Sequence, residues 1–227
     1  MNIKILIKIT EISHSFFIFI LKNLSMSLTP SNMLPIDTII PTFELINTIN
    51  DKPFNIAENK GVNGTVVMFI CNHCPFVIHI NKMLVTIATN YQNKGVNFIA
   101  ISSNDPVSYP EDGPENMKYH AKINHYPFPY LFDKTQTVAK AFDAACTPDI
   151  FIFNNLSQLI YRGQLDDSRP NNDIPVTGSD VIHALECLLK EDNNTRKQKP
   201  SIGCNIKWKK DNEPNYIRKK IKIKISF

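Results

Sequence analysis

The segment from Thr65 to Ser102 constrains the fold more than any other part of the chain. It opens with the apolar run Thr65-Val66-Val67-Met68-Phe69-Ile70, which suits a strand buried on both faces. Val77, Ile80, Met83, Leu84, Ile87, Ala88 and Tyr91 then recur at helical spacing from Phe76 to about Asn93, and Asn93-Lys94-Gly95 supplies the stop. Val96–Ser102 reads as a second strand. Strand, helix, strand in this order is a βαβ unit with parallel strands. Its first junction is Cys71-Asn72-His73-Cys74-Pro75. Two thiols three positions apart at a helix start are placed for reversible disulfide chemistry, because unpaired N–H groups there stabilise a thiolate and only the thiolate attacks a disulfide. This argument expects the thiolate on Cys71, with His73 as a second stabilising donor when protonated.

The remaining elements fit around this unit. Residues 38–57 are loosely patterned and extended, with a turn near Asn50-Asp51. Three prolines, two aspartates and a glycine make Asn104–Pro114 a loop, and its acidic residues read as a solvated cluster. A short helix is expected over about Glu115–Ile123, and Tyr126-Pro127-Phe128-Pro129-Tyr130 must be extended. Another short helix covers about Thr135–Phe142. Asp149–Phe153 and Leu159–Arg162 form a hairpin through Asn154-Asn155. Ser179–Lys190 is a helix capped by Ser179 or Asp180, with Val181, Ile182, Leu185, Leu188 and Leu189 on its buried face. The fold class is α/β, a central mixed sheet with helices on both faces.

Charge is unevenly spread over the 227 residues. Of the net +4, residues 1–25 carry +2 and residues 207–227 carry +6, which leaves the segment between them at −4. A mildly acidic body does not call for a nucleic-acid partner. The expected organisation is an N-terminal extension over 1–28, a domain over 29–210 and a basic tail over 211–227. Lys4 and Lys8 precede the apolar Phe16–Leu21 in loose imitation of a signal peptide, but no small-x-small cleavage pattern follows and the stretch is too short to span a bilayer. A weak signal or anchor and an extension preceding a start at Met26 both stay open. Membrane contact is expected only through the termini. Five cysteines at uneven spacings (71, 74, 146, 187 and 204) do not form a secreted disulfide framework and favour a reducing, cytoplasmic setting, or an exported one if residues 1–24 are a signal.

The element order, with a Cys-x-x-Cys opening the first helix and Thr147-Pro148 before the hairpin, resembles the thioredoxin fold. The closer resemblance is to the peroxiredoxin-like branch related to alkyl hydroperoxide reductase and thiol-specific antioxidant proteins. It rests on Phe69–Pro75, Ala100–Asp105, Tyr109–Asp112, Tyr126–Leu131, Ala145–Asp149, Tyr161–Pro170 and Pro200–Trp208, and covers roughly residues 30–215. The resemblance implies a cis Thr147–Pro148 bond packed on the cysteine pair, with the Thr147 backbone open to a substrate chain that adds as a strand. It also implies that Gly163–Arg169 forms another wall of the site. Asp166, Asp167 and Arg169 there would bind a polar substrate group, or else bind each other or simply cap the loop.

The expected function is thiol–disulfide exchange, with Cys71 as nucleophile, Cys74 as resolver and His73 as tuner. Thr147, Pro148, Cys146, Gly163, Asp166 and Arg169 would position protein or small-molecule disulfides and thiols, with no cofactor and no metal required. Peroxide reduction is the alternative. The resemblance aligns a peroxidatic cysteine with Cys74, but the Thr and Pro that accompany it are replaced here by Cys71 and Val67. Thioredoxins also carry a buried carboxylate where this chain has Thr65, so the proton acceptor is left to His73 or water. A zinc site built from Cys71, Cys74, Cys146 and Cys204, and a binding module with incidental thiols, are the competing classes. Cys187 reads as a small core residue, and Ile206 and Trp208 as residues that dock the C-terminal segment on the sheet.

Overall fold

The computed structural model describes residues 28–216, so the expectations for residues 1–27 and 217–227 lie outside the described residues. The chain opens with strands β1 (Leu28–Pro30), β2 (Glu44–Asn47) and β3 (Lys52–Asn55), the last two forming a hairpin through the expected turn. Strand β4 (Gly64–Phe69), helix α1 (Pro75–Gln92) and strand β5 (Val96–Ser102) are the βαβ unit, with β4 and β5 parallel. Helix α2 (Pro114–Ile123), strand β6 (Tyr130–Phe132) and helix α3 (Thr137–Ala141) follow. Strands β7 (Cys146–Thr147), β8 (Asp149–Asn154) and β9 (Leu159–Gly163), helix α4 (Ser179–Lys190) and strand β10 (Ile202–Asn205) complete the chain. Among the described residues no helix is long and apolar enough to cross a membrane.

The main sheet has the order β3-β2-β6-β5-β4-β8-β9. Every residue of β4 is buried, as its unbroken apolar run requires of a central strand. Its side chains alternate between two cores. Val66 and Met68 pack with α1, α2 and α4, whereas Val67 and Phe69 face α3, Phe142 and Ile206. Phe142 meets Phe69, Phe151 and Phe153 edge-on at 5.4–5.9 Å between ring centres. Each such side chain contributes about 1.5–3 kcal/mol through burial. Ile206 is buried and Trp208 packs against the same cluster, so the C-terminal segment docks on the sheet as expected. Residues beyond 210 also touch the domain, with Asn212 Nδ2 donating to Thr135 O and Tyr216 Oη to Ala144 O.

Three details depart from expectation. Helix α4 starts after Gly178 in a left-handed conformation (φ 69°), with no side-chain cap from Ser179 or Asp180. Its fully buried residues are Val181, Ala184 and Leu185, while Leu188 and Leu189 are half-buried. Cys187 is also half-buried, with its Sγ 3.6 Å from His183 Nε2.

A second sheet, β1-β10-β7, was not legible in the sequence. β10 pairs antiparallel with both β1 and β7, setting Cys204 opposite Thr147. Gly203 makes that approach possible, because a Cβ there would stand 2.0 Å from Thr147 O. Gly203→Ala is therefore expected to push β10 off β7 and to cost about 1–3 kcal/mol of stability. A urea-unfolding midpoint equal to wild type would show that the close approach is not required.

Candidate functional site

The end of β4, the start of α1, the β7–β8 junction and β10 converge on the thiols. Cys74 is the residue before α1, whose first turn begins with Pro75, and Cys71 lies one turn earlier in the strand-to-helix connection. Cys71 and Cys74 are no more than 1% exposed and Cys204 is 2% exposed. Cys74 Sγ donates to Thr147 O at 3.1 Å and approaches Cys204 Sγ at 2.8 Å. Cys71 Sγ lies 3.4 Å from Thr147 Oγ1. The Thr147–Pro148 bond is cis. All five cysteines are reduced.

The loop after β5 closes the other side of the site. Asp112, at the end of a 3-10 turn over Pro110–Asp112, is completely buried rather than solvated. One carboxylate oxygen accepts the Asn72 N–H at 2.8 Å, and the other accepts Asn104 Nδ2 at 2.7 Å. That second oxygen also lies 2.6 Å from His73 Nδ1, while Glu111 is 3.9 Å away. The His73 ring stacks on Tyr109 with 5.5 Å between centres. Asn72 is fixed further by Tyr130 Oη at 3.1 Å and by Glu111 O at 2.7 Å.

Electrostatics separates the two cysteines of the motif. Burial raises the Cys74 thiol, but hydrogen bonding with Cys204 and Cys71 and attraction to the Val77 N–H outweigh burial and pull it far below its ordinary value. Burial, contact with Cys74 and the nearby Asp112 charge all raise Cys71, and only Thr147 opposes them. Contact with Cys74, then burial, raises Cys204. These effects favour a thiolate on Cys74 over one on Cys71 or Cys204. Where the helix-start argument placed the thiolate on Cys71, the Val77 N–H of the helix start acts on Cys74, and the Asp112 charge lies near Cys71. Burial lowers His73, but Asp112 and then Glu111 outweigh it and raise the imidazole above its usual range.

Other expected site residues are placed differently. Cys146 is fully buried beside the pair, but its Sγ is directed to the carbonyls of Pro148 (3.6 Å) and Ser201 (3.9 Å), and burial raises it strongly. Asp166 spends its oxygens on Ser168 and on the backbone N–H groups of Thr177 and Gly178. Arg169 donates to Asp166 O, Ser168 O and Gln164 Oε1. These two residues cap their own loop, as the alternative reading of them expected. Gly163 (φ 138°) serves the close passage of Lys199 O, which would lie 2.0 Å from a Cβ. The cavity between this loop, Pro148 and Ile202 measures about 20 Å³, room for roughly one water. One edge of the Thr147 backbone is paired with β10 of the same chain.

The cysteine quartet does not match tetrahedral zinc. Ligand sulfurs around zinc stand about 3.8 Å apart, whereas Cys74 and Cys204 are at 2.8 Å and Cys146 turns to carbonyls. Cys71, His73 and Asp112 bring donor atoms within 4.8 Å of one another, but the closest contact in that trio is its own His73–Asp112 ion pair. Thr65 is buried and accepts the Gly61 N–H, so the carboxylate near the thiols comes from the loop after β5 instead. Asp149, one residue beyond Pro148, is wholly buried, and burial pushes its carboxyl well above the usual carboxylate range.

A family model described as AhpC/TSA family matches residues 36–162, more than half the chain. An uncharacterized conserved protein from Geobacillus kaustophilus shares 55% identity at a TM-score of 0.81, covering 82% of this chain and 99% of its own. A hypothetical protein from Sinorhizobium meliloti 1021 shares 42% identity at a TM-score of 0.78, covering 80% of this chain and 99% of its own. Peroxidoxin BcpB from Mycobacterium tuberculosis is similar in fold alone, at 14% identity and a TM-score of 0.53 over 72% of this chain and 99% of its own. No curated protein matches the chain.

Proposed function

The chain belongs to the AhpC/TSA family, and we propose that within it this protein is a thiol–disulfide oxidoreductase acting on low-molecular-weight disulfides. The observation that carries the reading is the placement of Cys74: a thiolate-favouring helix start, in contact with further thiols, beside an acid–base pair. The substrate class is supported by the pairing of β10 on one edge of β7 and by the burial of the thiols, which favour a small disulfide over a protein strand. Asn72, His73, Pro75 and Phe76 are the half-buried residues through which the motif borders solvent.

In the forward direction the Cys74 thiolate attacks one sulfur of the substrate disulfide. A mixed disulfide forms and one substrate thiolate leaves. Cys71 then gives its proton to the departing substrate thiolate and attacks Cys74 Sγ. The second substrate thiolate leaves, and a Cys71–Cys74 disulfide remains. Two electrons pass from the protein to the substrate, and two thiols are produced. These roles exchange those that the helix-start argument assigned to the two cysteines. Peroxide reduction gains nothing from the site, because Cys71 stands where a polarising hydroxyl would be needed.

Mixing pre-reduced protein with glutathione disulfide tests this reading. Two equivalents of glutathione should be released per chain, with the protein ending in an internal disulfide at Cys74. No release, or one equivalent with glutathione retained on Cys74, would overturn it.

A further inference from the structure

The most unusual contact in the molecule joins the first helix to the second sheet. β10 lies antiparallel on β7, the edge next to Pro148 where an added strand would meet the thiols. It is seated by Gly203, whose hydrogen stands where any Cβ would meet Thr147 O at 2.0 Å. Its next residue, Cys204, brings Sγ to 2.8 Å from Cys74 Sγ, not far beyond the covalent S–S length of about 2.05 Å. A strand of the chain itself thus presents a thiol to Cys74 from the place of an incoming substrate strand.

We propose that Cys204 is a third redox thiol, which takes Cys74 over from Cys71 to form a Cys74–Cys204 disulfide. This rests on the exchange reading above. In the step, Cys204 Sγ attacks Cys74 Sγ of the Cys71–Cys74 disulfide. The Cys71–Cys74 bond breaks, the Cys74–Cys204 bond forms, and Cys71 leaves as a thiolate that takes up the proton Cys204 gave up. No outside oxidant enters, because two electrons only move between sulfurs of one chain. Cys71 is thereby returned as a thiol, and the oxidised equivalent is stored under β10. The new bond joins positions 130 residues apart, so it ties the second sheet to α1.

Oxidation of the full chain with glutathione disulfide, followed by alkylation, peptide mass mapping and a non-reducing gel, tests this. A Cys74–Cys204 cross-linked peptide is expected, with Cys204 protected in at least one chain in ten. The closed loop should run as a faster band, which a Cys71–Cys74 bond cannot produce. The Cys71→Ser variant should oxidise to the fast band almost completely, and Cys71→Ser/Cys204→Ser should give none. Cys204 alkylated in full in oxidised wild type would overturn the proposal, and that result stands even if a variant fails to fold. A Cys71–Cys74 disulfide together with an unprotected Cys204 would remove only this inference. No disulfide at Cys74 at all would remove the exchange reading as well.

Discussion

Cys74→Ser is expected to abolish release of glutathione from glutathione disulfide, with a loss on the order of a thousandfold or more in rate. Three observations converge on this one sulfur. It alone among the clustered thiols is drawn below its ordinary pKa, after the opposing effect of burial is overcome by Cys204, Cys71 and the Val77 N–H. Its Sγ lies 3.1 Å from the Thr147 carbonyl oxygen at the cis turn. It also contacts Cys204 and lies three positions from Cys71, so it can be joined to either. A serine hydroxyl keeps the hydrogen bond to Thr147 but supplies no thiolate near neutral pH, and the change is small enough to preserve the core. Cys71→Ser is the informative contrast, because Cys204 remains to resolve a mixed disulfide on Cys74. Its rate should fall less than that of Cys74→Ser. If Cys74→Ser stayed within tenfold of wild type while Cys71→Ser was dead, the nucleophile would be Cys71.

That reversal of roles marks where the sequence stopped being informative. Periodicity located Val96–Ser102 and Ser179–Lys190 with the bounds seen in the structure, and β4 and α1 to within a residue, because each buries a regular face. The cysteine pair was readable from its place at the strand–helix junction. Which cysteine holds the charge was not, since it depends on Cys204 and Asp112, 130 and 38 positions from Cys74. β1, β7 and β10 are three, two and four residues long, too short to show any alternation. One signal for β10 was available in Ile202-Gly203-Cys204, a glycine beside a cysteine in a run that ends in Trp208. Asp112 was read with its acidic neighbours as solvated. The contrary hint was topological: loops that leave the carboxyl ends of adjacent parallel strands meet over the same crevice, and both β4 and β5 end there. Asp166 and Arg169 show how polar residues near a site can be occupied by their own loop, Asp166 by Ser168, Thr177 and Gly178, and Arg169 by the carbonyls of Asp166 and Ser168.

Asp112→Asn is expected to produce the largest change in how the protein responds to pH. The carboxylate is fully buried and serves Asn72 N–H, Asn104 Nδ2 and the His73 ring together. Removing its charge leaves His73 with burial, which favours the neutral imidazole, and with Glu111 as a distant partner. The His73 pKa should fall, and the Cys71 thiol, raised in part by Asp112, should become more acidic. Breaking a buried ion pair from one side costs about 3–5 kcal/mol when the partner stays charged, and less once the partner can shed its proton. His73 is raised in the folded protein, so the stability it contributes is complete below its unfolded pKa of about 6.5 and is lost as pH rises through the folded value. Wild type should therefore exceed Asp112→Asn by most near pH 5.5, and the gap should narrow by pH 8.5. Urea unfolding at the two pH values measures the gap, and NMR titration of the histidine ring reads the lowered pKa directly. A gap of equal size at both pH values, with an unmoved His73 titration, would mean that Asp112 acts only as a hydrogen-bond acceptor for the loop.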